Sequence, residues 1–109
     1  MPSSRRRNEL AEEAKEILAR RGAERVRLDE LAMELECSPY HPSRVFRART
    51  GFSIHRYHNR LRVREAQERI ALGQRSLSAL AADLGFVDHA HFSRVFHRET
   101  RRTPSSFRR

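Results

Sequence analysis

The sequence predicts an all-α fold of about seven helices, on three observations. Glycine is scarce, with four in 109 residues, and no strand-like alternation of apolar and polar residues persists. Apolar residues recur at i, i+3, i+4 and i+7 in several segments along the chain. The four residues SRVF occur at 43–46 and again at 93–96, inside longer stretches that match in the same order.

The elements follow in chain order. Residues 8–21, NELAEEAKEILARR, place Leu10, Ala14, Ile17 and Leu18 on one stripe, with Asn8 as N-cap and Gly22 as the stop. The preceding SRRR reads as a mobile basic end, and Glu9, Glu12, Glu13 and Glu16 as the solvated face of this helix. Leu28, Leu31, Ala32 and Leu35 give one apolar face to a second, short helix. Ser38 caps a third, with Pro39 at its first position, where the missing N–H costs nothing. Val45 and Phe46 are its inward residues, and Gly51 closes it in the left-handed conformation. Residues 53–74, capped by Ser53 and free of proline and glycine before Gly73, read as one long helix of about 30 Å. Tyr57, Leu61, Ala66 and Ile70 fall on one face of it. Leu77, Leu80, Ala81 and Leu84 then repeat the pattern of the second helix. Gly85 breaks it, Asp88 caps the next helix, and Phe92, Val95 and Phe96 point inward. The copies match at an offset of 49 in their first helices and 50 in their second, so the second copy has one extra residue in its turn. Each ends in a similar tail, FSIHRY at 52–57 and RTPSSF at 102–107.

Two short helices joined by a tight turn make a helix-turn-helix, here used twice. The expected organisation is one domain over 1–109, with helix-turn-helix subdomains at 8–52 and 75–109 and a linker helix at 53–74. The charge points the same way. There are 23 basic and 14 acidic side chains, a net charge of +9, and every basic residue except Lys15 is arginine. Such an excess favours a polyanionic partner, and arginine's planar fork suits phosphate oxygens and the guanine edge. Two recognition helices, about 38–50 and 88–100, held roughly one DNA turn (about 34 Å) apart can enter successive major grooves. One chain can then read an asymmetric site as a monomer.

Other classes find less support. No nucleophile–base pair, glycine-rich phosphate loop or metal cluster suggests an enzyme, and no cofactor is implied. The histidines of HAH at 89–91 do not share a helix face, and His55 and His58 lack zinc-ligand company. His41 and His91 hold equivalent positions, which suggests a structural role in each unit. Cys37, the lone cysteine, reads as a buried inert thiol. No apolar run is long enough to span a bilayer and no signal peptide is visible, so no membrane partner and a cytoplasmic, nucleoid-associated location are expected. Architectural, non-specific nucleic-acid binding driven by charge is the alternative function.

The stretch LSALAADLGFVDHAHFSRVFHRETRRTPSSFRR resembles the DNA-binding domain of AraC/XylS-type bacterial transcription regulators, and SPYHPSRVFRARTGFSIHRYHNRLRVREA resembles its first helix-turn-helix and linker. The resemblance covers roughly residues 8–109. It implies an all-helical fold of seven helices that binds double-stranded promoter DNA, usually to activate transcription, often by touching RNA polymerase. Family members often carry a separate sensor or dimerisation domain, which would lie outside this chain. Carried over by position, the base-facing residues are Tyr40, Ser43 and Arg44 in the first recognition helix and His89, Ala90, Ser93 and Arg94 in the second. Arg47, Arg49, Arg98 and Arg102 would reach phosphates, as would the helix N-termini at Ser38 and Asp88.

Two positions depart from the family. Pro42 stands where an apolar residue, often Leu, is usual, so it should remove a core side chain and distort the start of the first recognition helix. Arg101 stands where a closing glycine is common. Either the cap differs there, or Arg101 accepts about 1 kcal/mol of left-handed strain and adds a phosphate contact.

Overall fold

The computed structural model describes residues 4–37 and 41–107. Among them are seven helices and no strand: α1 Ser4–Arg21, α2 Leu28–Glu34, α3 His41–Thr50, α4 Ile54–Ala71, α5 Leu77–Asp83, α6 His89–Thr100 and α7 Pro104–Phe107. They fall into two compact units, one of Met1–Arg21 and Arg25–His58, the other of Gly22–Glu24 and Asn59–Arg109.

In the first unit α3 packs on α1 and α2. Leu10, Ala14, Ile17 and Leu18 are buried along α1. That helix begins earlier than the pattern indicated. Asn8 lies inside it and SRRR forms its first turn rather than a mobile end. Arg5 pairs with Glu9, Arg6 with Glu9 and Glu13, and Arg6 also reaches the Leu35 carbonyl at 3.5 Å. Arginine is a good helix former, and side-chain pairs one turn apart carry the helix back past the apolar stripe. Pro42 also differs from expectation. It is among the fully buried side chains, filling in α3 the place that Phe92 fills in α6; the start of the recognition helix, where a distortion was expected, lies outside the described residues. The expected caps Ser38 and Pro39 lie outside the described residues.

The second unit is built on one aromatic ladder. Phe92 stacks at a tilt on Phe86 (5.2 Å between centroids) and edge-on to Phe96 (5.7 Å), and Phe96 meets Phe107 edge-on (5.7 Å). Val63, Ala66 and Ile70 of α4 and Leu77, Leu80 and Ala81 of α5 complete this core. The buried face of α4 therefore differs from the expected one. Ile54, His58 and Val63 are buried with Ala66 and Ile70, while Tyr57 and Leu61 are only partly so.

The internal repeat extends beyond the two helices of each copy. Each α2-type helix ends in the same hydrogen-bonded turn. Glu36 N–H donates to Met33 O and Cys37 N–H to Ala32 O; Gly85 N–H donates to Ala82 O and Phe86 N–H to Ala81 O. This is the Schellman arrangement, and its closing residue must be left-handed. Each recognition helix ends in a threonine corner. The Thr50 hydroxyl donates to Phe46 O (2.8 Å) and accepts from Phe52 N–H (3.1 Å); the Thr100 hydroxyl does the same with Phe96 O and Arg102 N–H at the same distances. Ser53 and Thr103 then cap the next helix. Phe46 meets Tyr57 edge-on at 5.2 Å, as Phe96 meets Phe107. The four residues of α7 thus repeat the first turn of α4.

Both left-handed positions occur in both copies, yet each copy spends glycine on only one. The first has Glu36 (φ 55°) and Gly51 (φ 80°); the second has Gly85 (φ 85°) and Arg101 (φ 63°). Arg101 takes the left-handed cap itself and does not evade it. Gly85 is needed for a second reason. A Cβ there would stand 2.0 Å from the Ala23 carbonyl oxygen. The loop carrying Ala23 is held by Arg62, whose guanidinium donates to the carbonyls of Gly22 (3.4 Å), Ala23 (3.3 Å) and Glu24 (3.2 Å) and lies over the Phe86 ring. Burial pulls the Arg62 pKa below its usual value, and the three carbonyls offset that loss of hydration.

Two stability predictions follow from these turns. Gly85→Ala combines left-handed strain with a backbone collision and should destabilise by about 2–4 kcal/mol. Gly51→Ala, with nothing within 4 Å of its Cβ, should cost only about 1 kcal/mol. Conversely, Arg101→Gly relieves strain and should stabilise by about 0.5–1 kcal/mol after the added freedom of the unfolded chain is counted. Chemical denaturation midpoints of the three variants check both, and equal losses for the two alanines would contradict the collision at Gly85.

Candidate nucleic-acid interface

An α-helix that buries a neighbouring Val–Phe pair must turn the preceding residue outward, because successive side chains are about 100° apart. Both recognition helices obey this. Val45 and Phe46 are buried in α3, Val95 and Phe96 in α6, and Arg44 and Arg94 are exposed. Ser43 and Ser93 are half-buried at the rim in both.

In α3, Arg47 and Arg49 are also exposed. Arg44 and Arg49 join Arg7 of α1 and His41 in lining a shallow cleft floored by Val45 and Ala48. Arg7 belongs to the segment expected to be mobile, so its place beside α3 was not legible from composition. Ser38 and Tyr40 lie outside the described residues.

In α6, Ala90 and Arg94 are exposed on the side away from Phe92 and Phe96, while His89 is exposed at the start of the helix with its ring edge-on to Phe92, 6.3 Å between centroids. Asp88 is the N-cap, its carboxylate accepting from His91 N–H at 2.7 Å. Arg98 is half exposed and lies 3.6 Å from Glu99, whose carboxylate is 4% exposed and also pairs with Arg60 at 3.2 Å. Arg102 is turned back on the protein. It donates to the Ser106 carbonyl (2.8 Å) and hydroxyl (3.4 Å), with its guanidinium over the Phe107 ring. To reach a phosphate it must share or exchange those bonds.

The two units are not electrostatic copies. Where α3 has exposed Arg49, α6 has the nearly buried Glu99. The basic surface therefore continues further along α3, while in α6 it is concentrated at Arg94 and Arg98.

Among the described residues, no group of three or more His, Cys, Asp or Glu is placed to hold a metal ion. His55 is exposed while His58 is buried. Cys37 is half-buried with its thiol 3.9 Å from the Ala32 carbonyl, and burial pushes its pKa up, away from the reactive thiolate. No helix is long and apolar enough to cross a membrane.

Comparison with known proteins bears on this surface. Residues 31–109 match the family model described as a helix-turn-helix domain. The chain is 37% identical over 81 residues to the HTH-type transcriptional activator RhaR of Escherichia coli, covering 74% of this chain and 29% of that protein. It thus spans less than a third of the length of the curated relatives it matches. Among solved structures, a transcriptional regulator of Chromobacterium violaceum with an AraC-type DNA-binding domain superposes with a TM-score of 0.86 at 22% identity, covering 93% of this chain and 90% of that one. The DNA-binding domain of the global transcriptional factor AdpA, solved with a target DNA, superposes with a TM-score of 0.75 at 24% identity, covering 94% and 88%.

Proposed function

The chain belongs to the AraC-type helix-turn-helix family of transcription regulators, and from that premise we propose that it binds double-stranded promoter DNA in a sequence-specific manner to regulate transcription. The observation that supports this most directly is the shared inside–outside pattern of α3 and α6, which leaves Arg44 and Arg94 exposed at matching places. In this reading α3 and α6 enter successive major grooves. The subdomains run over 8–52 and 75–109, with 53–74 as the linker helix. Arg44 and Arg94 make bidentate contacts to guanine. Tyr40, Ser43, His89, Ala90 and Ser93 touch base edges or thymine methyls. Arg47, Arg49, Arg98 and Arg102, with the amides at Ser38 and Asp88, engage phosphates.

The chemistry needs no cofactor. Recognition is a matter of donors placed against base edges, and affinity comes from cations that displace counterions along the backbone. We read the chain as an activator, active as a monomer through its tandem units. It would act in the cytoplasm at the nucleoid, touch RNA polymerase, and answer to a sensor domain outside these residues.

Selection from random duplex DNA at near-physiological salt tests this. Two short motifs about ten base pairs apart are expected. Binding with no enriched motif, fading only as salt rises, would favour charge-driven architectural binding instead. On the selected site, Arg94→Ala should cost about 1–3 kcal/mol and relax preference at one base position. Arg98→Ala should weaken all sequences alike and flatten the salt dependence by about one ion. Identical behaviour of the two variants on selected and random duplexes would place α6 wrongly.

A further inference from the structure

His91 is the one place among the described side chains where a buried polar atom goes without a partner. Its ring packs edge-to-face on Phe86, 5.4 Å between centroids, and its Nδ1 is buried with no hydrogen-bond partner. The ring as a whole is only half-buried. Nε2 has no hydrogen-bond partner among the described residues either, yet it is not among the buried unsatisfied atoms, so it opens to solvent. His91 is the third residue of α6, beside exposed His89 and Ala90.

The burial decides where the ring's proton resides. A proton on Nδ1 would leave a buried N–H donor without an acceptor, whereas a proton on Nε2 meets water or a ligand. We propose that His91 is a DNA-backbone contact of the second recognition helix, holding its Nε2–H outward as a donor to a phosphate oxygen. The inference rests on the DNA-binding reading above and adds a residue to it. The rim position favours backbone over base, because the residues aimed squarely outward from α6 are Ala90 and Arg94. The repeat adds separate support. His41, the counterpart in α3, lines the cleft it shares with Arg7, Arg44 and Arg49, a setting that draws an anion.

Two amide substitutions separate the ring nitrogens. The Gln amide nitrogen can stand where Nε2 stands, while the shorter Asn places its amide near Nδ1. His91→Gln should bind the selected duplex within about threefold of the parent chain. His91→Asn should bind about tenfold more weakly, on selected and random duplexes alike. Nitrogen NMR of the free chain should find the His91 proton on Nε2, and adding the selected duplex should shift Nε2 while leaving Nδ1 in place. A proton on Nδ1, parental affinity in His91→Asn, or a loss confined to the selected duplex would each overturn the proposal. Thermal transitions of both variants guard against misfolding; should the Asn variant unfold, the tautomer and the Gln variant decide. Failure of the parent chain to prefer any duplex would be a failure of the functional reading and not of His91.

Discussion

The rotation of each recognition helix about its own axis is set by one demand, that an adjacent valine and phenylalanine leave water. Val45–Phe46 and Val95–Phe96 are held at 5% exposure or less. Burying a phenylalanine is worth about 2–3 kcal/mol, and a helix cannot rotate by one residue without bringing the ring to the surface. The outward direction of Arg44 and Arg94 is therefore a by-product of core packing. So is the half-buried state of the serines and histidines at the rim. The outward face of each of these helices is thus fixed from within.

The two copies solve the same closure problem with glycine at opposite ends. Left-handed geometry is required after the first helix and after the second, and each copy places a side chain at one of these positions. Where only strain is at stake, a charged residue is tolerated, as at Glu36 and Arg101. Where strain coincides with a close backbone approach, as at Gly85 against Ala23 O, there is no room for a side chain. Arg62 holds the loop on that side, donating to three consecutive carbonyls while lying over the Phe86 ring.

Much of this was legible in the sequence, because the repeat supplied its own control. The helical period, the Asp88 cap, the Gly51 and Gly85 turns and the inward Val–Phe pairs could each be checked against a second copy. What escaped depended on distant partners. The start of α1 is set by arginine–glutamate pairs outside the apolar stripe. The inner face of α4 includes His58, which polarity alone assigns to the surface. Pro42 was read as a lost core residue, yet a proline ring is apolar, and in α3 it occupies buried space. Arg62 looked like one more basic residue among 23, and no local pattern marks a guanidinium whose work is to collect carbonyls. At the interface, the outward positions of α3 and α6 followed from the period, while Arg7 and the inward turn of Arg102 required the fold.

The threonine corners bear on motion. Helix ends ordinarily fray, because the last carbonyls and the first amides beyond them have only water as a partner. Here one hydroxyl answers both, taking up a carbonyl of the final turn and the amide two residues onward, and the cap of the next helix stands three residues after the threonine. Each recognition helix is thus tied off at its C-terminal end. Local opening would have to break the corner and the helix it launches together, so the amides of Phe52 and Arg102 should be protected from solvent exchange although they lie outside any helix.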